Sequence, residues 1–254
     1  MKTGALIIAA GHEKGREDFR PLLPAGDSTV IRRIIITLKQ AGVDPVVVVT
    51  GLQGDALEKH IAKLGVICLR NEDYENTQKF YSICMGLDYI RNLCGRVFVL
   101  PAKFPMFLPA TVRRMMETED PVVCPVRNGM RGHPVLLSGS VIDDIMAYEG
   151  EFGMQGALKQ EHVADQIREV EVEDDGIILA VETKEDCAHP LVEEGRISVY
   201  PQVELSLGRN EEFFSPFMAQ FLSLIDYTAS IQTACRQLHI SYTKGWSLLR
   251  SAQQ

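Results

Sequence analysis

Residues able to handle phosphate stand close together at the start of the chain. In residues 4–24, GALIIAAGHEKGREDFRPLLP, an apolar run from Ala5 to Ala10 breaks at Gly11 into a loop of mixed charge. That loop carries Lys14, Arg16 and Arg20 and closes on Leu22 and Leu23 between two prolines. A buried strand ending at a glycine delivers backbone N–H groups to an anion, and cations beyond it neutralise phosphate charge. Ala9, Ala10, Gly11, His12, Lys14, Gly15, Arg16 and Arg20 are therefore the candidate nucleotide-binding residues. Lys103 follows the apolar run RVFVL, where a phosphate contact and a solvent-exposed loop lysine are about equally good readings. His133, between Gly132 and Pro134 in the turn GMRGHPVLL, is divided in the same way between a substrate loop and a packed turn histidine.

The elements that must position these residues alternate. Residues 29–41 place Val30, Ile31, Ile34, Ile35 and Leu38 at helical spacing, and Gly42 stops the helix. Residues 45–50, PVVVVT, read as a buried parallel strand, 55–64 as a helix and 66–69 as a strand. The order β-α-β-α-β fits right-handed crossovers. After a polar stretch at 71–79 come a helix over 82–92, a strand at 96–100, a helix from 111, a strand at 121–126 and a helix at 141–148. Residues 167–172 and 176–181, around Asp174-Asp175-Gly176, read as a hairpin. Together they predict one three-layer α/β domain with a mostly parallel sheet over residues 1–195.

The remainder, 200–254, reads as a small α-helical domain. Residues 201–207 are a strand or linker and 213–225 a helix. A helix over 231–238, a turn at 239–241 and a helix over 242–251 then make a helix-turn-helix. Ser241, Tyr242, Thr243 and Lys244 lead the second helix and are the candidate DNA contacts, with a non-DNA interaction module as the other reading. Trp246 reads as core.

Composition narrows the classes. With 254 residues, 46% hydrophobic and 24% charged, the chain has enough apolar matter for a core. A net charge of -8 excludes a chain devoted to nucleic acid, although the tail itself balances Arg209, Arg236, Lys244 and Arg250 against Glu204, Glu211, Glu212 and Asp226. The six cysteines are scattered with no CxxC pair, which argues for free thiols and against a metal cluster. The N-terminal apolar run is too short for a signal peptide, and no segment approaches the roughly 20 apolar residues of a membrane span. The expectation is a cytoplasmic protein.

These residues carry a resemblance. LIIAAG, PLLP, the TVIRRII helix, the valine strand, VFVLP and GHPVLL resemble the MobA/MocA-type NTP transferases, the nucleotidyltransferases of molybdenum-cofactor maturation, over roughly residues 3–190. IQTACRQLHISYTKGW is similar to the ModE/LysR-like helix-turn-helix of molybdate regulators, there followed by a wing that this chain is expected to lack. The resemblance implies a Rossmann-like nucleotidyltransferase domain that takes CTP or GTP with Mg²⁺, couples it to a molybdopterin-type phosphate and releases pyrophosphate. It also implies base or substrate contacts near Asn71 and Ser82, for which a helix N-cap is the favoured alternative. A DNA partner would need the tail to act, and a homodimer to engage two half-sites.

The chain departs from the family's pattern where the metal sits. The family's loop Arg falls on Gly15, between Lys14 and Arg16, and its Lys on Arg20, so cationic charge is kept. Its two Mg²⁺-binding aspartates fall on Lys103 and Ala180. Two unit charges about 4 Å apart interact by about 4 kcal/mol at an effective dielectric near 20, and a divalent ion doubles that, so a lysine there opposes metal. The spacing of the nearby acids Glu182, Glu185 and Asp186 gives no reason to expect rescue. The expectation is a nucleotide-binding, nucleotidyltransferase-like domain with reduced or absent turnover. The rival is a nucleotide- or cofactor-sensing transcriptional regulator that uses the C-terminal helix-turn-helix.

Overall fold

The computed structural model describes residues 2–11, 18–197, 205–208 and 212–252. The chain divides into two compact units, residues 1–198 and 199–254.

In the first unit the N-terminal apolar run forms β1 (Thr3–Ile8), buried from Gly4 to Ile7. A single 3-10 turn at Arg20–Leu22 follows, then a ribbon of β2 (Pro24–Ala25) and β3 (Ser28–Thr29). α1 (Val30–Gln40) buries its isoleucine stripe, and β4 (Val46–Thr50), α2 (Gly54–Ile61) and β5 (Ile67–Arg70) complete the expected alternation. Next come α3 (Lys79–Ile90), β6 (Arg96–Pro101), α4 (Pro109–Met116), β7 (Val122–Arg127), β8 (Met130–Arg131) and β9 (Val135–Ser138). α5 (Gly139–Met146), α6 (Gly153–Ala157), α7 (Glu161–Ala164), β10 (Ile167–Glu171) and α8 (Pro190–Glu193) close the unit.

The main sheet has the order β10-β7-β9-β6-β1-β4-β5, with β8 pairing β7 at its side. β1 is parallel to both neighbours, Ala5 standing opposite Val46 on one side and Phe98 on the other. β9 reverses, running antiparallel to β6 and β7, as does the short β8 against β7. The chain moves outward from β1 through β4 to β5, then returns to the other side of β1 as β6. Such a reversal opens a crevice at the carboxyl ends of the two strands, because their following loops diverge.

α3 sits very close to β1. A Cβ on Gly86 would lie 2.2 Å from Cδ1 of Leu6, a side chain with no exposure and nowhere to move. Lys79 is seven residues earlier, two turns along the same helix face. Its aliphatic chain therefore lies over Gly11, with Cε 3.2 Å from where a Cβ there would stand.

Four expectations are corrected. Residues 176–181 do not form a hairpin with 167–172; β10 pairs in parallel with β7 instead. Asp174 is the cause, its carboxylate accepting from Gly176 N, Leu108 N and the Thr111 hydroxyl, which pulls the chain into a 3-10 turn at Asp175–Ile177. α3 begins at Lys79 rather than 82, with Gln78 as its N-cap, so neither Asn71 nor Ser82 caps it. In the second unit Phe213 and Phe214 lie in a strand, because Ser215 caps the helix onto Met218 N and Pro216 occupies its first turn.

That second unit pairs β11 (Leu207–Gly208) with β12 (Glu212–Phe214) and adds α9 (Pro216–Thr228), α10 (Ile231–Gln237) and α11 (Tyr242–Ala252). Most of the strand-or-linker stretch expected at 201–207 lies outside the described residues. α11 packs closely on α10 and α9, since a Cβ on Gly245 would stand 2.4 Å from Cys235 Sγ and 3.0 Å from Phe221 Cζ. Trp246, expected in the core, is 42% exposed and meets Tyr242 edge-on.

Gly86→Val should destabilise the fold by roughly 1–3 kcal/mol, as overpacking of a filled core does, measured by urea unfolding. His133 stacks on Phe104 with ring centroids 4.4 Å apart, and burial, with help from the Lys103 charge, pushes its pKa down to about 4. The neutral ring favours the fold above the ordinary value of 6.5. That contribution is lost as pH falls from about 6.5 to 4, because the unfolded chain takes up the proton first. His133→Phe should remove up to about 3 kcal/mol of the wild-type loss of stability over that window, read from unfolding at several pH values.

Candidate functional site

β1 and β6 end side by side, Ile8 opposite Pro101, and the chain continues from each across the crevice. Ala9 N donates to Val49 O at 2.9 Å and Ala102 N to Ile8 O at 2.9 Å, so the first residues past each strand are still held by the sheet. The crevice between them has a volume of ≈ 110 Å³. It is lined by Ala9 and Gly11 from the first loop, by Arg20 and Asp18, by Ala102 and Lys103, and by Lys79 from α3.

Its electrostatics centre on Glu182. The carboxylate takes a hydrogen bond from Lys103 Nζ and lies 3.8 Å from the guanidinium of Arg20. All three side chains are partly buried, between 16% and 28% exposed. Local backbone holds this arrangement. Val181 N donates to Lys103 O at 2.7 Å. The Asp186 carboxylate accepts from the N–H groups of Glu182 and Thr183 at 2.8 and 2.9 Å, closing the turn that carries Glu182. Lys103 also rests over the Phe104 ring, 5.3 Å from its centroid.

A divalent cation does not fit these residues. A hard cation at such a site takes one or two available carboxylates together with phosphate oxygens. Glu182 is engaged by Lys103 and Arg20, Asp186 by two backbone N–H groups, and Asp18 by Lys184 at 2.9 Å. An ammonium holds the centre of the cluster.

The candidates read from the sequence separate into groups. Ala9, Gly11, Arg20 and Lys103 meet at the crevice, with Ala10 adjoining them. His12, Lys14, Gly15 and Arg16 lie outside the described residues. Asn71 and Ser82 meet each other, not the crevice. The buried Asn71 amide donates to Thr77 Oγ1 and Ser82 Oγ at 2.9 and 3.0 Å and accepts from Asp73 N, so it shapes the loop after β5. It is Glu182, two residues past Ala180, whose side chain reaches Lys103. Gly132 presses on Ile177, where a Cβ would stand 2.6 Å from the carbonyl oxygen, and His133 N donates to that oxygen, which leaves this turn packed behind Phe104. Ser241 caps α11 by accepting from Lys244 N at 3.2 Å, and Tyr242 is exposed.

Lys79 is the site residue that sequence reasoning missed. It closes a polar stretch with no apolar pattern, and only the close packing of Gly86 on Leu6 shows where it reaches.

Comparison with known proteins places the fold. A nucleotidyl transferase from Methanothermobacter is 22% identical with a TM-score of 0.63, covering 73% of this chain and 94% of that one. A Mycobacterium tuberculosis protein solved in complex with manganese is 21% identical with a TM-score of 0.61, covering 77% and 100%. A cytidylyltransferase from Leptospira borgpetersenii is 18% identical with a TM-score of 0.58, covering 91% and 96%. At these identities the likeness is one of fold. No curated protein sequence matches the chain. The family model for the MobA-like NTP transferase domain matches residues 5–170, which takes in β1, the crevice and every strand of the main sheet, and the chain belongs to that family.

Proposed function

We propose that the first unit binds a nucleoside triphosphate, CTP or GTP, by its phosphates in the crevice after β1 and β6, with nucleotidyl transfer reduced or absent. One observation carries this reading: Lys103 lines the crevice and pairs with Glu182, at a position where the resemblance implies a metal-binding aspartate. Nucleotidyl transfer depends on positioning and on neutralising charge that develops in the transition state. Among the described residues, the crevice supplies cations and backbone for binding, while Glu182 is engaged by Lys103 and Arg20 and Asp186 by two backbone N–H groups. The acceptor in the family's pattern is a molybdopterin-type phosphate, and the same crevice would present the nucleotide to it.

A second reading has its own support. In the second unit α10 and α11 are joined by a short turn, with α11 capped by Ser241 and pressed onto Cys235 through Gly245. This supports the reading as a ModE-like helix-turn-helix, in which Tyr242, Thr243 and Lys244 would start the presenting helix. Joined to a nucleotide-binding unit that does not turn over, it supports a sensing regulator acting on DNA as a homodimer. Among the described residues no helix is long and apolar enough to cross a membrane.

Pyrophosphate release from CTP and GTP, with Mg²⁺ and a molybdopterin acceptor, is the decisive measurement. The wild-type chain should bind nucleotide and release little pyrophosphate. Lys103→Asp/Ala180→Asp, which puts carboxylates beside Glu182, should raise release by at least roughly a hundredfold, the size of restoring one charge-stabilising group. Robust wild-type turnover overturns the proposal. For the second reading, a mobility shift on DNA should appear near 50 mM salt and fade toward 200 mM, as binding through a few phosphate contacts does; no shift at low salt rejects it.

A further inference from the structure

We infer that Arg20, Lys79 and Lys103 form a metal-independent site for a polyphosphate chain, and that Glu182 is the internal anion which the phosphates displace. The inference rests on the nucleotide reading above and deepens it. Three cations from three separate parts of the fold converge on one small crevice: Arg20 from the loop after β1, Lys79 from the first turn of α3, and Lys103 from the loop after β6. Its ≈ 110 Å³ is below the roughly 300 Å³ at which whole-ligand pockets begin, and suits a phosphate chain with the rest of a nucleotide extending past the mouth.

Glu182 behaves as a built-in phosphate mimic. It offers one carboxylate to two of the three cations, as a phosphate oxygen would. Its backbone is fixed by Asp186, but its side chain pivots on two methylene groups, so it can leave Lys103 without disturbing the turn. A chain bearing three or four negative charges competes for Lys103 and Arg20 better than one carboxylate does, since each added oxygen makes another charge-assisted bond. Mg²⁺ is not needed for neutralisation, and by binding the phosphates in solution it lowers their charge and their advantage over Glu182. Lys79 adds a third cation to the lining of the crevice.

The experiment is calorimetric titration of the full chain with inorganic tripolyphosphate and with CTP and GTP, in EDTA and again with excess Mg²⁺. Both kinds of ligand should bind in EDTA, and Mg²⁺ should weaken tripolyphosphate binding several-fold. Lys79→Gln should weaken it roughly tenfold, the effect of losing one charged hydrogen bond. Glu182→Gln and Glu182→Ala should each tighten it several-fold, with circular dichroism confirming that the variants fold. Unchanged or weaker binding in both Glu182 variants overturns the displacement, and unchanged binding in Lys79→Gln removes that residue from the site. Binding that EDTA abolishes and Mg²⁺ restores overturns the metal independence while leaving the nucleotide reading intact. No binding of any of the ligands in either condition overturns that reading itself, and this inference with it.

Discussion

β1 carries the rest of the structure. It is paired in parallel on both sides and buried from Gly4 to Ile7, so the backbone polar groups inside it are satisfied by β4 and β6. Its chain can emerge only at the carboxyl end, where the topology reverses and the loops diverge. Gly86 lets α3 lie directly on this strand, and the helix's straight seven-residue reach brings Lys79 over Gly11. The crevice is thus a consequence of packing around one strand.

Charge then decides what the crevice does. Glu182 is shared by Lys103 and Arg20 in a partly buried setting, where screening is weaker than at the surface. In this arrangement Glu182 is engaged by both cations and Asp186 by two backbone N–H groups. The Lys103 charge reaches further, helping to keep His133 neutral behind Phe104.

A buried network anchors the far side of the sheet. Glu58, 3% exposed, accepts from the Thr50 hydroxyl at 2.5 Å and meets Arg70, which also pairs with Asp55. This ties α2 to β4 and β5, so the strands beside β1 are held in register at the end facing the crevice. Asn71, one residue past β5, continues the same theme by closing the loop that leads into α3. Burial leaves these polar groups stable only as a satisfied set.

By itself the sequence determined the alternating α/β order and the central parallel strands. These follow from local patterns: valine runs, helical stripes, and a glycine at the end of an apolar run. It also put a lysine at position 103, because residue identity needs no coordinates. The false hairpin at 176–181 looked local, yet Asp174 reaches across to Leu108 and Thr111, more than sixty residues away. Only the tertiary structure decided that Lys79 joins the crevice, that Glu182 answers Lys103, and that Asn71 and Ser82 satisfy each other. Each of those outcomes depends on which distant backbones touch, and spacing along the chain carries no record of it.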